Sequence, residues 1–453
     1  MFLALCLIFI AGYLAIIFER QLGIDKTASA LMIGGISWLI CFLNVESIVP
    51  DQAVLARAID SEPLVTLVGV KREFLRGELF ERLLADARTL LYFLGAISIV
   101  GIVDSKDGFS VISDRIRTRN RVKILWIIAW ITFFISAILD NLTTTVVMIS
   151  MLHKVIRYPE PRKYFSGMVV IAANAGGAWS TTGDLMTRML WIHDRVGPME
   201  LAVRVFPASA ACLFVALIPV SFILRREQAA ELIGFSAEIP PQPLKPRAVI
   251  FLALGMIGLM LIPVFRSTLS LPLLVGLSLV LGTIWVVSDL VDRFSRSTSE
   301  STSGVHMALQ RVDISAVFFF LGILLGIGAL GASGLFLSLA SMIEGIAPFD
   351  VVKPILLGSL AMVVESITVV AAGIEMYALP KNDTFWTLLA YCASAAGSCQ
   401  LIGSAAGLAA ITLDRISFLW YLRHITPWAL LGFISGCIVY LIQAKLSGLI
   451  PAG

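Results

Sequence analysis

The chain has 453 residues, of which 58% are hydrophobic and 14% charged, with a formal net charge of +3. Such a composition excludes a soluble globule, and so small a net charge gives no footing for a nucleic-acid partner. It describes an all-α polytopic membrane protein whose first partner is the lipid bilayer.

Apolar runs near the roughly 20 residues needed to cross a hydrocarbon core occur at Phe2 to Phe18, Thr27 to Asn44, Thr89 to Val103, Leu201 to Leu224, Ala248 to Phe265, Pro272 to Val291, Asp313 to Leu330 and Trp428 to Ile442. The first lacks a basic leader and a cleavage site and is followed at once by Glu19-Arg20, so it reads as a retained spanning helix. The cysteines Cys6, Cys41, Cys212, Cys392, Cys399 and Cys437 lie in apolar segments without metal-ligand spacing and read as packing residues.

Two basic blocks follow the third run. Lys106, Arg115, Arg117, Arg119, Arg121 and Lys123 form one, and Lys154, Arg157, Arg162 and Lys163 the other. Both are expected on the cytoplasmic side. Between them Ile124 to His153 could form about 45 Å of continuous helix, while two full crossings need roughly 40 residues. A re-entrant helical hairpin satisfies both length and charge, and its midpoint carries Leu139-Asp140-Asn141-Leu142-Thr143-Thr144-Thr145. The competing reading is one long tilted helix kinked at Asp140. A carboxylate at membrane depth is costly and points to function, and neutral oxygens beside it suit a small hard cation. Asp140 as a simple helix cap is the plainer reading, and capping does not exclude a site.

Next, Ala172-Ala173-Asn174-Ala175-Gly176-Gly177-Ala178-Trp179-Ser180-Thr181-Thr182-Gly183-Asp184 interrupts a helical pattern with glycines and hydroxyls. A broken transmembrane helix there would leave carbonyls open to coordinate a cation. The small residues would also serve close helix packing, although packing does not call for Asp184.

The second half repeats the first. Ala172 to Gly183 aligns without gaps on Cys392 to Gly403, so that Gly177 meets Gly397 and Gly183 meets Gly403. Tyr92-Phe93-Leu94-Gly95 aligns on Phe319-Phe320-Leu321-Gly322, and Asp140 falls opposite Glu365. Small-residue composition would produce part of this by chance; three ordered matches favour duplication. The second hairpin is flanked only by Lys353 and Lys381, which fits an inverted copy. The resulting plan is N-terminal helices and loop over 1–88, a first transport repeat over 89–224, a linker with connecting helices over 225–312 and a second repeat over 313–453. Arg225 to Arg247, with Pro240-Pro241, and Arg293 to Ser303 read as linkers outside the membrane.

On Leu139-Asp140-Asn141-Leu142-Thr143-Thr144-Thr145, Ala172 to Ser180 and Ile402-Gly403-Ser404-Ala405-Ala406-Gly407, the chain resembles the NhaD-type sodium/proton antiporters of the ion transporter superfamily, relatives of arsenite and citrate or dicarboxylate carriers. The resemblance spans about Thr89 to Gln443. It implies two inverted repeats, each with a hairpin and a broken helix meeting at a central ion site, and a bacterial inner membrane. Three departures stand out. Glu365-Ser366-Ile367-Thr368 replaces the usual Asp-Asn-x-Pro, Ser180-Thr181-Thr182-Gly183-Asp184 lacks a proline, and Arg188 stands where a small hydroxyl is common. Arg188, one turn from Asp184, would pair with it and weaken it as a ligand.

The expected activity is secondary exchange of Na+, or Li+, for H+ by alternating access. Asp140, Asp184 and Glu365 are the candidate Na+ ligands, and Asn141, Thr143, Thr144, Asn174, Ser180, Thr182, Ser366, Ser394 and Ser398 the neutral oxygens. His193 is a candidate pH sensor. The rival in the same fold is an anion carrier for dicarboxylate or arsenite, and a receptor-like role without flux is a third reading. No Gly-x-Ser-x-Gly, His-Glu-x-x-His or Cys/His metal spacing occurs, so neither an enzyme nor a bound cofactor is expected. A homodimer is one assembly open to such a chain.

Overall fold

The computed structural model describes residues 2–17, 19–48, 67–113, 120–156, 159–230, 246–295, 314–346, 350–401 and 404–448. The expected linkers around Pro240-Pro241 and after Ser295, the basic residues Arg115, Arg117, Arg119 and Arg157, and the repeat match at Ile402-Gly403 lie outside them. Every regular element among the described residues is helical.

The helices of seven or more residues are α1 (Phe2–Ile17), α2 (Lys26–Leu43), α3 (Leu67–Ser105), α4 (Arg121–Leu139), α5 (Asn141–Val155), α6 (Pro159–Ala178), α7 (Leu185–Ile192), α8 (Pro198–Ala230), α9 (Pro246–Leu269), α10 (Leu273–Ser295), α11 (Ile314–Ala332), α12 (Leu335–Ile346), α13 (Val352–Ser359), α14 (Ser366–Met376), α15 (Thr384–Ala396), α16 (Ala405–Asp414), α17 (Phe418–His424) and α18 (Thr426–Leu446). Seven helices among the described residues are long and apolar enough to cross a membrane. The run expected from Thr89 is the second part of α3, which begins at Leu67 and extends for 39 residues. Its first part is rich in Arg and Glu, which hides it from an apolar count although these residues favour helix.

Two compact units emerge, one of Met1–Leu91, Asp313–Pro348 and Ala371–Ala378, the other of Tyr92–Val312, Phe349–Val370 and Leu379–Gly453. In the first, α2 and α11 run parallel at a constant spacing in sequence. Thr27 Oγ1 lies 2.7 Å from Ser315 Oγ, and the Cys41 thiol lies 3.6 Å from Ala329 O. On α3, Arg82 bridges Glu78 at 2.8 Å and Glu375 at 2.6 Å. Glu375 is thus a partner within this unit.

In the second unit α8 and α18 run antiparallel, with Gly432 against Cys212, Gly436 against Ala208 and Gln443 bonded to Val203 O. A Cβ at Gly432 would lie 2.5 Å from Cys212 O, so glycine spacing sets how closely these helices approach.

The chain reverses at Asp140, as the hairpin reading requires. Along α8, Phe133 and Phe134 meet Phe206, whereas Trp126 meets Phe214 and Ser221. The start of α4 therefore lies toward the C-terminal end of α8. The antiparallel register places Thr426 toward that same end, and Ile425, the residue before it, touches Gly167 on α6. From Asn141, bonded to Asn174, α5 returns along α6 to His153, which shares Asp414 with Arg162 and Ser166. Both arms lead back to one end.

The two broken helices, α6–α7 and α15–α16, run antiparallel. Arg195, just past α7, bonds to Leu379 O before α15; Asp184 and Asn174 meet Ser394 at the middle; Ser166 meets Asp414 at the far end. Their breaks therefore face one another.

Candidate ion site at two helix breaks

Asp140 links α4 to α5 with φ 115° and ψ 161°, a backbone region that glycine favours. Its Oδ1 accepts from Thr143 N–H at 2.8 Å and its Oδ2 from the Thr143 hydroxyl at 2.9 Å, so it does cap α5. Only 3% of the residue is exposed. The cap and the site reading coincide on one carboxylate.

Asn174, fully buried on α6, is the hub. Its Oδ1 accepts from Asn141 Nδ2 at 3.0 Å, and its Nδ2 donates to Ser398 Oγ at 3.0 Å and Ser404 Oγ at 2.9 Å. Its backbone carbonyl accepts from the Ser394 hydroxyl at 2.7 Å. One amide thus ties the first hairpin to both broken helices, with both of its N–H bonds used. The remaining hydrogen of Asn141 goes to Asp184 Oδ2 at 3.1 Å, the atom that Ser394 Oγ also approaches at 3.1 Å. Asp184 begins α7 and is 3% exposed.

The break between α6 and α7 is held from both sides. The Thr182 hydroxyl donates to Ala137 O at 2.9 Å and lies 3.1 Å from Ser180 Oγ, while Thr187 donates to Ser180 O at 2.8 Å. A Cβ at Gly176 would lie 2.2 Å from Phe133 O, so α4 approaches α6 as closely as glycine allows. Ser136 seals that crossing through its bond to Ala173 O at 2.6 Å.

One expectation is corrected. Arg188 does not form an ion pair with Asp184. Its guanidinium turns to the break, donating from Nε and Nη2 to Thr182 O at 3.0 and 2.5 Å and from Nη2 to Leu139 O at 3.4 Å. It stands 4.0 Å from Asp140 Oδ2 and 5.9 Å from the centre of the Tyr92 ring. An acceptor released by a helix break outcompetes a neighbour on the same turn because the planar fork reaches several oxygens at once. Three carbonyls at the breaks already accept side-chain hydrogen bonds. Thr182 O is taken by Arg188, Ser398 O by Tyr421 at 2.7 Å and Cys399 O by Thr426 at 2.5 Å.

The contacts thus join Asp140, Asn141, Thr143, Asn174, Ser180, Thr182, Asp184, Ser394 and Ser398. Thr144 is buried in the first turn of α5, and its hydroxyl, like that of Thr145, has no hydrogen-bond partner. Glu365 and Ser366 lie at the start of α14, where the Glu365 carbonyl accepts from Thr368 N–H at 2.9 Å. His193 caps the C-terminus of α7, roughly 12 Å along an eight-residue helix from Asp184. Sequence reasoning missed Ser404, which caps α16 and holds Asn174; a serine before an apolar helical run was the available signal. It also missed the anchor at Asp414, whose partners His153, Arg162 and Ser166 are about 250 residues away.

Residues 13–381 match the family model described as a citrate transporter, CitMHS. Sodium/proton antiporter 2 of Arabidopsis thaliana is 33% identical over 96% of this chain and 98% of its own length, and sodium/proton antiporter 1 of the same plant is 33% identical over 99% of this chain and 73% of its own. The Na+/H+ antiporter NhaD of Alkalimonas amylolytica is 27% identical over 96% of this chain and 89% of its own. Among solved structures, the YdaH transporter of Alcanivorax borkumensis superposes with a TM-score of 0.55 at 14% identity, covering 92% of this chain and all of that one, which shows the fold alone.

Proposed function

The chain belongs to the NhaD-type antiporters of the ion transporter superfamily, and from that premise we propose that it exchanges Na+ for H+ across a membrane by secondary active transport. The observation that carries this reading is a charge count. Asp140 and Asp184 bring two negative charges into a buried cluster and Arg188 brings one positive charge, leaving one negative charge when both carboxylates are ionised. Burial of a net charge is costly, and one monovalent cation or one proton removes it. Sodium and proton thus compete for the same charge.

Asp140 and Asp184 supply the charged oxygens, with Thr143, Thr144, Ser180, Thr182 and Ser394 as neutral neighbours and Asn141, Asn174 and Ser398 fixing the geometry. Glu365 and Ser366 are assigned to the second hairpin's contribution, and His193 to pH response. Li+ is a second cation for the same oxygens. The antiparallel broken helices support an inverted repeat, and the crossing at Asn174 and Ser394 gives alternating access a pivot. No enzyme activity or resident cofactor enters this reading. The NhaD relatives come from bacteria and the two 33% identical relatives from a plant, so the host membrane is assigned only as one that sustains a proton gradient. A homodimer is the assembly to test by mass in detergent.

The test uses everted vesicles loaded with a pH-sensitive dye. Addition of Na+ dequenches the dye with the native chain and not with Asp140→Asn; dequenching that survives this change sinks the reading. The citrate-transporter description of the family model favours a second reading, anion carriage. Labelled citrate or dicarboxylate uptake by reconstituted protein, without any Na+-linked proton flux, would establish it instead. Two buried carboxylates against one arginine argue the other way.

A further inference from the structure

Asp414 is a carboxylate buried away from the candidate ligands, and its partners come from elements that all reach the ion site. Its side chain is 1% exposed. Oδ1 accepts from His153 Nε2–H at 2.6 Å and from Arg162 Nε–H at 2.7 Å, and Oδ2 accepts from the Ser166 hydroxyl. Arg162 also donates from Nη1 to Ile156 O at 3.2 Å, which ties the C-cap of α5 to the same junction. Apolar side chains of similar volume often hold helices together as well as a buried ion pair does, so stability alone does not call for a carboxylate here. What it adds is a set of directional, charge-assisted bonds that fix geometry.

The three elements joined at Asp414 meet a second time. At the site, Asn141 opens α5, Asn174 lies on α6 and Ser404 caps α16, and Asn174 bonds to both of the others. From Asn174 to Ser166 is about 12 Å of helix, from Asn141 to His153 about 18 Å and from Ser404 to Asp414 about 15 Å. Three helical struts of similar length thus connect two polar junctions. Because α16 begins only after the break, the place of Ser404 is not inherited from α15, and Asp414 holds the other end of its helix against α5 and α6.

We propose that Asp414 is a positioning residue for the ion site: by fixing the far end of α16, it keeps the Ser404 hydroxyl where it accepts from Asn174 and so holds the geometry in which the cation is bound. The proposal rests on the antiport reading above. Asp414 acts through one rigid helix, since its hydrogen-bond partners lie outside the candidate ligands. With Asp414 released, Ser404 shifts, the Asn174 amide loses one of its two acceptors, and Asn141 and Asp184 lose their fixed placement in turn. The loss falls on cation binding and leaves the turnover of the loaded carrier unchanged.

The experiment measures Na+-linked proton flux by the purified full chain in liposomes, as half-saturating Na+ and maximal rate, for native protein, Asp414→Asn, Ser404→Ala and the double variant. Asp414→Asn should raise half-saturating Na+ about tenfold, the scale of one charged hydrogen bond, with the maximal rate within about twofold. Ser404→Ala should raise it about fivefold, as expected for one neutral hydrogen bond. Substitutions this far apart that act independently would multiply to about fiftyfold; if Asp414 acts through Ser404, the double variant stays at about tenfold. A multiplicative double variant overturns the proposal, and so does an Asp414→Asn chain with native half-saturation or with a loss confined to maximal rate. Should Asp414→Asn fail to give a folded, monodisperse protein, His153→Ala replaces it, because that partner's side chain is 37% exposed and tolerates truncation. Its expected rise is about threefold, again without multiplying that of Ser404→Ala; no rise, or a full product, overturns the proposal. The two readings fail separately: no Na+-linked proton flux in the native chain removes antiport, whereas native flux with independent variants removes only the role of Asp414.

Discussion

The two helix breaks share a scaffold and differ in charge. The first, between α6 and α7, carries Asp184 and Arg188 and lies against Asp140. The second, between α15 and α16, has neither an acidic nor a basic side chain in residues 397–404, and contributes Ser398 and Ser404 beside Ser394. Of the two openings in the helical ladder, one holds the charge while the other holds the amide that organises it. Ionic chemistry concentrated at one break needs only one neutralising ion, whereas ionic groups at both would require compensation twice.

The comparison breaks if the charged side proves dispensable. Asp184→Asn should lower Na+-dependent proton flux by at least ~100-fold, because it leaves a buried arginine against a single carboxylate; flux in reconstituted liposomes measures this, with retention volume in detergent reporting the fold. Asn174→Ala severs the bridge between the two sides. It leaves Asn141, Ser398 and Ser404 without their partner, and a loss of about 2–4 kcal/mol in stability is expected from unsatisfied buried groups, read as a lower unfolding temperature together with weakened transport. On the neutral side, Ser398→Ala should be milder. The expected change is about fivefold in apparent Na+ affinity, from about 1 kcal/mol for one neutral hydrogen bond, with the maximal rate retained; complete loss would show that the second break does more than orient Asn174.

The smallest effect lies away from both breaks. Asp25 caps α2 by accepting from Thr27 N–H at 2.7 Å, and hydrogen bonds from Thr27 hold its carboxyl below the ordinary value. A lowered folded-state value means the stabilisation is present above the unfolded pKa and disappears as pH falls through the folded one. Asp25→Ala should therefore cost about 1 kcal/mol at neutral pH and progressively less below about pH 4, with exchange unchanged, as followed by thermal unfolding across pH.

The membrane class, the hairpin turn and the first helix break were legible because each is a local pattern of length, charge or composition. Asp140 could be singled out because a carboxylate in an apolar run is conspicuous on its own. Asn174 could be noticed but not ranked, since its partners Ser398 and Ser404 lie more than 220 residues away and its importance comes from where the helices cross. Arg188 misled for the same reason. Spacing on one helix favours Asp184, but the carbonyls of Thr182 and Leu139 become acceptors only once two chain interruptions have been brought together. Composition announced hydroxyls and glycines at the breaks, and the folded structure decides which partners those groups find.

Asp140 also sets stability against activity. Its φ of 115° with ψ of 161° belongs to a region in which a residue with a side chain carries a cost of order 1–3 kcal/mol. Glycine would relax that turn and, in the same step, remove the carboxylate proposed above to hold the ion. Random mutagenesis screened for thermal resistance alone should therefore drift toward Asp140→Gly, and such a screen would select silent transporters unless growth under salt stress were imposed alongside it.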